Sequence, residues 1–173
     1  YEIIIIDSYV NSSIKTLNDY LENNKKKSNI KIFNLDLRDL KSIEEIFSIS
    51  EKEGKSIDAV IHFSGLKAVG ESVSNPLIYW DCNVIGTLNL LKIMDKYECY
   101  NLVFSSSATV YEESDSLLLD EDSKIKPKNP YGKTKLAVEE VLTDLYNSNK
   151  KKWKIACLRY FNPIGAHPKG YVG

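Results

Sequence analysis

Tyr131 and Lys135 stand four residues apart in the stretch KNPYGKTKLAVEEVL, residues 128–142, directly after Asn129-Pro130. Asparagine at an N-cap followed by proline at the first helical position specifies a helix start, and the pattern predicts a helix over 130–148. Residues i and i+4 share a helix face about 5–6 Å apart at Cβ. Lys135 thus falls in a stripe that is otherwise Tyr131, Val138, Leu142 and Leu145. An ammonium beside a phenol favours the phenolate, which makes Tyr131 a candidate general base near neutral pH. The same spacing would also arise from a lysine snorkelling out of the stripe beside an ordinary core tyrosine. Ser105 to Ser107, roughly two dozen residues upstream, weight the pair towards chemistry. A serine hydroxyl there could share the hydrogen bond at the reacting oxygen.

These residues need elements to position them. YEIIII (1–6), IKIFNL (30–35), DAVIHF (58–63), NLVFSS (101–106) and WKIACLRY (153–160) read as strands. They are near-continuous apolar runs, which predicts a sheet covered on both faces. Helical patterns lie between them at 12–25, 39–53, 76–98 and 130–148. The alternation predicts an α/β fold, a doubly wound parallel sheet with right-handed crossovers. The lysine clusters NNKKK and NKKKWK read as solvated loops at helix ends.

Ligands of an open parallel sheet collect at the carboxyl ends of its strands. Asp7, Asp36, the SGLKAVGES segment, SSSATVY and FNPIGAHP follow the five strands in turn, so every such end is small, polar or acidic. A carboxylate at Asp7 can accept both ribose hydroxyls of an adenosine and would repel a 2′-phosphate, favouring NAD over NADP. It can equally cap the following helix, as Asp36 can together with Asp39. Gly65 offers close backbone approach to a ligand with Lys67 beside it, or simply a turn. GKS at 54–56 lacks the upstream glycine of a P-loop and precedes a strand. The serines lack the flanking glycines of a nucleophile elbow. His62 sits inside a strand without a partner at metal-ligand spacing, so it reads as core.

The chain has 173 residues, 43% hydrophobic and 27% charged, with net charge −1, which fits one globular domain and gives no basic field for nucleic acid. Three cysteines suit a reducing compartment better than a disulfide framework. No apolar run reaches the ~20 residues of a membrane span. No membrane partner is expected, and a cytoplasmic location is.

AVIHFSGLKAVGESV, NPLIYW, FSSSATVY, NPYGKTKLAVEEVLTDL and LRYFNPIGAHPKG, taken together, resemble the UDP-glucose 4-epimerases (UDP-galactose 4-epimerases) of the extended short-chain dehydrogenase/reductase superfamily. The resemblance runs from Asp7 to the last residue. It implies an NAD-binding Rossmann-like domain over 1–173 that begins at the family's second strand. The glycine-rich first βα unit would then be missing, and 161–173 would lead towards an absent C-terminal substrate domain. In the 3-2-1-4 strand order the missing strand is central, which predicts two unpaired inner edges.

The resemblance further implies interconversion of UDP-galactose and UDP-glucose through a transient 4-keto sugar with tightly held NAD. Tyr131 would be the base, Lys135 would bind the nicotinamide ribose and tune it, and Ser107 would hydrogen-bond the sugar O4. Asp7, Ser8, Asn11 and Ser12 match the adenosine-ribose and phosphate segment, and Asp36-Leu37 the adenine contacts. Phe63, Ser64, Gly65, Leu66 and Lys67 match the segment along the cofactor, with Lys67 also towards the substrate. Asn83 is carried over as cofactor-binding, although some relatives have Asn-Asn where this chain has Cys82-Asn83. Phe161 would lie beside the nicotinamide, and Asn162 would contact the UDP-sugar phosphates. Helices 76–98 and 130–148, apolar on more than one face, would pair across the axis of a homodimer. The rival readings are a nucleotide-sugar 4,6-dehydratase, another UDP-sugar epimerase and a non-catalytic NAD-binding protein. Ala108-Thr109 offers no acid/base carboxylate for elimination, and a non-catalytic relative would usually lose the tyrosine or lysine.

Overall fold

The computed structural model describes residues 1–23, 29–113 and 118–165. Its elements are β1 (Ile3–Asp7), α1 (Ile14–Asn23), β2 (Ile30–Asn34), α2 (Leu40–Lys52), β3 (Ala59–His62), α3 (Val69–Ser74), α4 (Pro76–Tyr79), α5 (Gly86–Lys96), β4 (Asn101–Ser107), α6 (Pro130–Ser148) and β5 (Lys154–Tyr160). Strands and helices alternate as the sequence predicts. The end of the expected 12–25 helix and the AHPKG motif lie outside the described residues. The expected 76–98 helix is one helical run in three parts, with a π turn over Trp80–Ile85 joining α4 to α5. Helix α3 and a short 3₁₀ turn at Ala108–Val110 were not expected from the sequence.

The strands form two parallel sheets, β1-β2 and β3-β4-β5. Among the described residues no strand joins them, and β1 and β3 each have one strand neighbour, the two unpaired inner edges expected where the central strand is missing. The chain divides into two compact units, Tyr1–Asp36 with Asn162–Gly173, and Leu37–Phe161.

The larger unit carries the core. Asp39 caps α2, accepting from the Ser42 backbone N–H at 3.2 Å, and Ile43, Ile46 and Phe47 recur on its buried face. Ile43 and Phe47 meet Leu90, Leu91, Ile93 and Met94 of α5, Val138 and Leu142 of α6, Leu102 and Phe104 of β4, and Trp153. In β4, alternate residues Leu102, Phe104 and Ser106 face this core. On the other face Ile61 is 66% exposed, Leu158 40% and Tyr160 41%. The reason is that the described helices pack their apolar residues onto the Leu102–Phe104 side.

Candidate active site

Helix α6 begins as its sequence dictates. Asn129 caps it, its side-chain oxygen accepting from the Gly132 N–H at 2.8 Å, with Pro130 at the first position. The helix then turns Tyr131, Lys135, Val138 and Leu142 inward, and Leu145 is half-buried. Its N-terminus presses on the turn after β4: a Cβ on Gly132 would lie 2.6 Å from the Thr109 carbonyl oxygen. Only glycine allows this approach, and the approach brings the Ser107 turn and the Tyr131 helix together.

Ser107 ends β4, 9% exposed. Its hydroxyl oxygen accepts from the Thr109 N–H at 3.2 Å and from the Thr109 hydroxyl at 3.0 Å. That leaves its own hydrogen to donate elsewhere. Lys135 does not snorkel. It is 5% exposed, and its ammonium donates to the Ser105 carbonyl at 2.9 Å. The same ammonium stands 4.9 Å from the Phe104 ring centroid and 5.9 Å from that of Tyr131. Burial pushes its pKa down to about 8, because removing an ammonium from water penalises the charged form. Tyr131, Lys135 and Ser107 therefore occupy one junction: a phenol, an ammonium of lowered pKa and a hydroxyl with a proton to give.

The loop after β3 is tied to this junction by Asn83. The Asn83 side-chain oxygen accepts from the Leu66 N–H at 2.8 Å, and its amide donates to the Leu66 carbonyl at 3.0 Å and to Thr134 Oγ1 at 3.1 Å. Thr134 in turn donates to the Tyr131 carbonyl at 2.7 Å. Both donors of the amide are thus occupied within the protein. Gly65 has φ +133°, and a Cβ on it would lie 2.8 Å from the Asn83 side-chain oxygen, so no side chain fits at this bend. Ser64, Gly65 and Leu66 are half-buried, and Lys67 is exposed.

His62 is buried as expected for core. Its Nε2 lies 2.8 Å from Thr87 Oγ1, and the Thr87 hydroxyl donates to the Asn83 carbonyl at 2.6 Å. The Thr87 proton is thereby used, so Nε2 carries the hydrogen. Burial, with a smaller contribution from the nearby Lys135 charge, drives the His62 pKa down to about 3.

One side of α6 is anchored by a buried ion pair. Glu139 is 7% exposed and accepts from Ser106 Oγ. Arg159 donates to both of its oxygens, Nη2 to Oε2 at 2.8 Å and Nε to Oε1 at 3.1 Å. Arg159 Nη1 also donates to the Tyr111 hydroxyl at 3.0 Å. Glu139, Arg159, Thr134 and Gly132 escaped the sequence reading. The Glu139–Arg159 pair, carrying opposite charges on a helix and a strand of apolar pattern, was the one signal available.

Phe63 is 63% exposed and Phe161 59%, and the Phe63 ring lies tilted against that of Tyr160, centroids 6.3 Å apart. Leu37 is half-buried beside α5. In the smaller unit, Asp7 does not cap α1. One of its oxygens accepts from the Tyr9 N–H at 2.8 Å and from Ser12 Oγ at 3.0 Å. Tyr9 takes φ 54° to close this turn. Ser8 and Asp36 are half-buried, and Asn11, Ser12 and Asn162 exposed.

The residues present suit a dinucleotide. A glycine bends the loop after β3, an exposed ammonium follows it at Lys67, and two aromatic faces stand open at Phe63 and Phe161. No helix of the described residues is long and apolar enough to cross a membrane.

Known proteins resemble this chain in sequence and fold. The chain is 48% identical over 174 residues to UDP-glucose 4-epimerase 2 of Arabidopsis thaliana, covering 100% of this chain and 48% of that protein. It is 44% identical over 173 residues to the UDP-glucose 4-epimerase of Bacillus subtilis (strain 168), covering 49% of it. The crystal structure of UDP-glucose 4-epimerase from Bifidobacterium longum in complex with NAD+ and UDP superposes with a TM-score of 0.90 at 42% identity, covering 100% of this chain and 50% of that one. The chain thus spans about half the length of the curated relatives it matches. Residues 1–172 match as a whole, and the chain belongs to the NAD dependent epimerase/dehydratase family.

Proposed function

We propose that this chain is part of a UDP-glucose 4-epimerase that interconverts UDP-galactose and UDP-glucose with NAD as resident cofactor. The observation that carries the reading is Lys135, buried in the Tyr131 stripe with its ammonium on the Ser105 carbonyl and beside the Tyr131 ring. One carbonyl and two ring faces offset the burial of that ammonium only in part, as its lowered pKa records, whereas proton transfer at Tyr131 gives the charge a use. NAD, when bound, would supply a reversible hydride acceptor for C4 of the sugar, so the cycle would have no net redox change.

The chain's own residues do the rest. Tyr131 takes the proton of the C4 hydroxyl and gives it back after the 4-keto sugar has turned over. Ser107 donates its hydroxyl hydrogen to O4. Lys135 holds the nicotinamide ribose, and its charge stabilises the oxygen that receives the proton. Asp7, with Ser8, Asn11 and Ser12, serves the adenosine ribose and phosphates, and Asp36-Leu37 the adenine. Phe63 to Lys67 lie along the cofactor, Phe161 beside the nicotinamide, and Lys67 and Asn162 towards the UDP-sugar. Asn83 acts on the cofactor side through the Leu66 backbone.

A homodimer fits the outward faces of the long helices. Leu77 is 82% exposed, Ile85 46% and Tyr146 43%, and a groove of about 320 Å³ between α5 and α6 is lined by Leu88, Leu91, Val141 and Leu145. Three free cysteines suit a cytoplasmic location.

The experiment is an assay of the full-length gene product with UDP-galactose, scoring UDP-glucose formed without added reductant. Conversion is expected, and Tyr131→Phe should lower turnover by ~10²–10⁴ with NAD still bound. No conversion, or a 4-keto-6-deoxy product, overturns the assignment, and an unchanged Tyr131→Phe rate removes the base role.

A further inference from the structure

The helical run from Pro76 to Lys96 reaches two strand-end loops through two asparagines. Asn83 holds Leu66, as described above. Asn89, 9% exposed on α5, holds the loop after β2: its side-chain amide donates to the Leu37 carbonyl at 3.3 Å and the Arg38 carbonyl at 3.1 Å. Three residues earlier on the same face, a Cβ on Gly86 would lie 3.2 Å from Leu37 Cβ and 3.7 Å from its carbonyl carbon. The π turn carries Asp81, whose carboxylate accepts from Arg38 Nη1 at 2.8 Å. Asp81, Gly86 and Asn89 therefore grip one dipeptide, Leu37-Arg38.

Their contributions differ. The Arg38–Asp81 pair is half-exposed, with side chains 36% and 50% accessible, and such pairs contribute little. Asn89 is buried and gives one donor group to two consecutive carbonyls that have turned away from any sheet ladder. A carbonyl stripped of its donor in such a place must move towards water. Leu90, Ile93 and Met94 of the same helix lie in the core and anchor α5. The path of Leu37 is thus set by a side chain anchored in the core.

We propose that Asn89 is a positioning residue for the adenine end of the dinucleotide, acting through the backbone of Leu37. The inference rests on the epimerase reading, in which Leu37 meets the adenine. Removing the Asn89 amide frees the loop, so the adenine loses a preformed wall while the Ser107–Tyr131–Lys135 junction keeps all its bonds.

The test measures dissociation constants for NAD and for UDP by calorimetry on full-length protein stripped of nucleotide. Unfolding temperature without ligand and turnover at saturating NAD are measured alongside. Asn89→Ala is expected to weaken NAD about tenfold, with UDP affinity and saturated turnover within twofold of wild type. Gly86→Ala, whose new methyl pushes on Leu37, is expected to weaken NAD in the same direction and serves if Asn89→Ala does not fold. NAD affinity unchanged in the folded variants, or NAD and UDP affinity lost in equal proportion, overturns the positioning role alone. A wild-type protein that neither binds NAD nor epimerises overturns the function reading and this inference with it.

Discussion

The junction of β4 with α6 and the turn that follows β1 are both polar strand ends, yet they are held by different kinds of bond. At the junction, Lys135 reaches Ser105, Glu139 reaches Ser106, and Asn83 reaches Thr134, pairs 30, 33 and 51 residues apart in sequence. All of these residues are buried except Ser105, which is half-buried and gives its backbone carbonyl. In the β1 turn, Asp7 accepts from Tyr9 and Ser12, two and five residues on, in a part-buried to exposed setting. A proton-transferring group needs a fixed distance and little water, which long-range buried bonds supply. In the proposed reading Asp7 receives ribose hydroxyls, which asks only that the carboxylate point the right way, and local bonds suffice.

The sharpest way to break this comparison is to remove a long-range anchor. Glu139→Ala leaves Arg159 without its counter-charge while Ser106 loses its acceptor. Stripping one partner from a buried pair costs about 3–5 kcal/mol. The lower end applies, since the Arg159 side chain keeps 20% exposure and its bond to Tyr111. Chemical denaturation should show this loss in the unfolding midpoint. A change below about 1 kcal/mol, the range of a surface pair, would mean that the junction is held no more firmly than the β1 turn.

A second prediction uses pH. The Lys135 pKa is lowered by burial from 10.5 to about 8 in the folded chain. Between those values the unfolded chain holds the proton and the folded chain does not, so stability rises with pH across that window. The gain is about 3 kcal/mol from end to end, at about 1.4 kcal/mol for each pH unit. Burial also raises the Cys99 and Cys157 thiols to about 11, which lowers stability above pH 9, the opposite sign. The difference between wild type and Lys135→Met isolates the lysine. It should climb from pH 8 to 10.5, and a flat difference would place the ammonium in water.

How far each region was legible in the sequence follows the same division. Asn129-Pro130 announced α6 to the residue, because a cap is a local matter, and the stripe announced that Lys135 faces inward beside Tyr131. The π turn left no trace, since widening a helix by one residue per turn changes spacing without changing composition. Asn83, Asn89 and Glu139 looked like ordinary polar helix residues, because their partners are distant and chosen by packing. Which strand face the described helices cover was illegible for a related reason. Apolar runs such as AVIHF and IACLRY show that a strand favours burial, but not which face the described helices cover. Ile61 and Leu158 are the residues left on the open side.

The smallest effect belongs to the β1 turn and decides whether it is local in fact. Asp7→Ala removes the acceptor of the Tyr9 N–H and of the Ser12 hydroxyl. Both donors are in reach of water, so they exchange a protein acceptor for a solvent one, a change worth about 0.5–1 kcal/mol. Tyr9, held at φ 54°, would relax to an extended backbone and recover part of that loss. Asp7→Asn keeps a side-chain oxygen for the same two donors and should stay nearer wild type than Asp7→Ala. Denaturation midpoints of the pair measure this. A loss above about 2 kcal/mol for Asp7→Ala would exceed what two solvated bonds can carry. The carboxylate would then be as deeply built in as Lys135, and the contrast between the two strand ends would collapse.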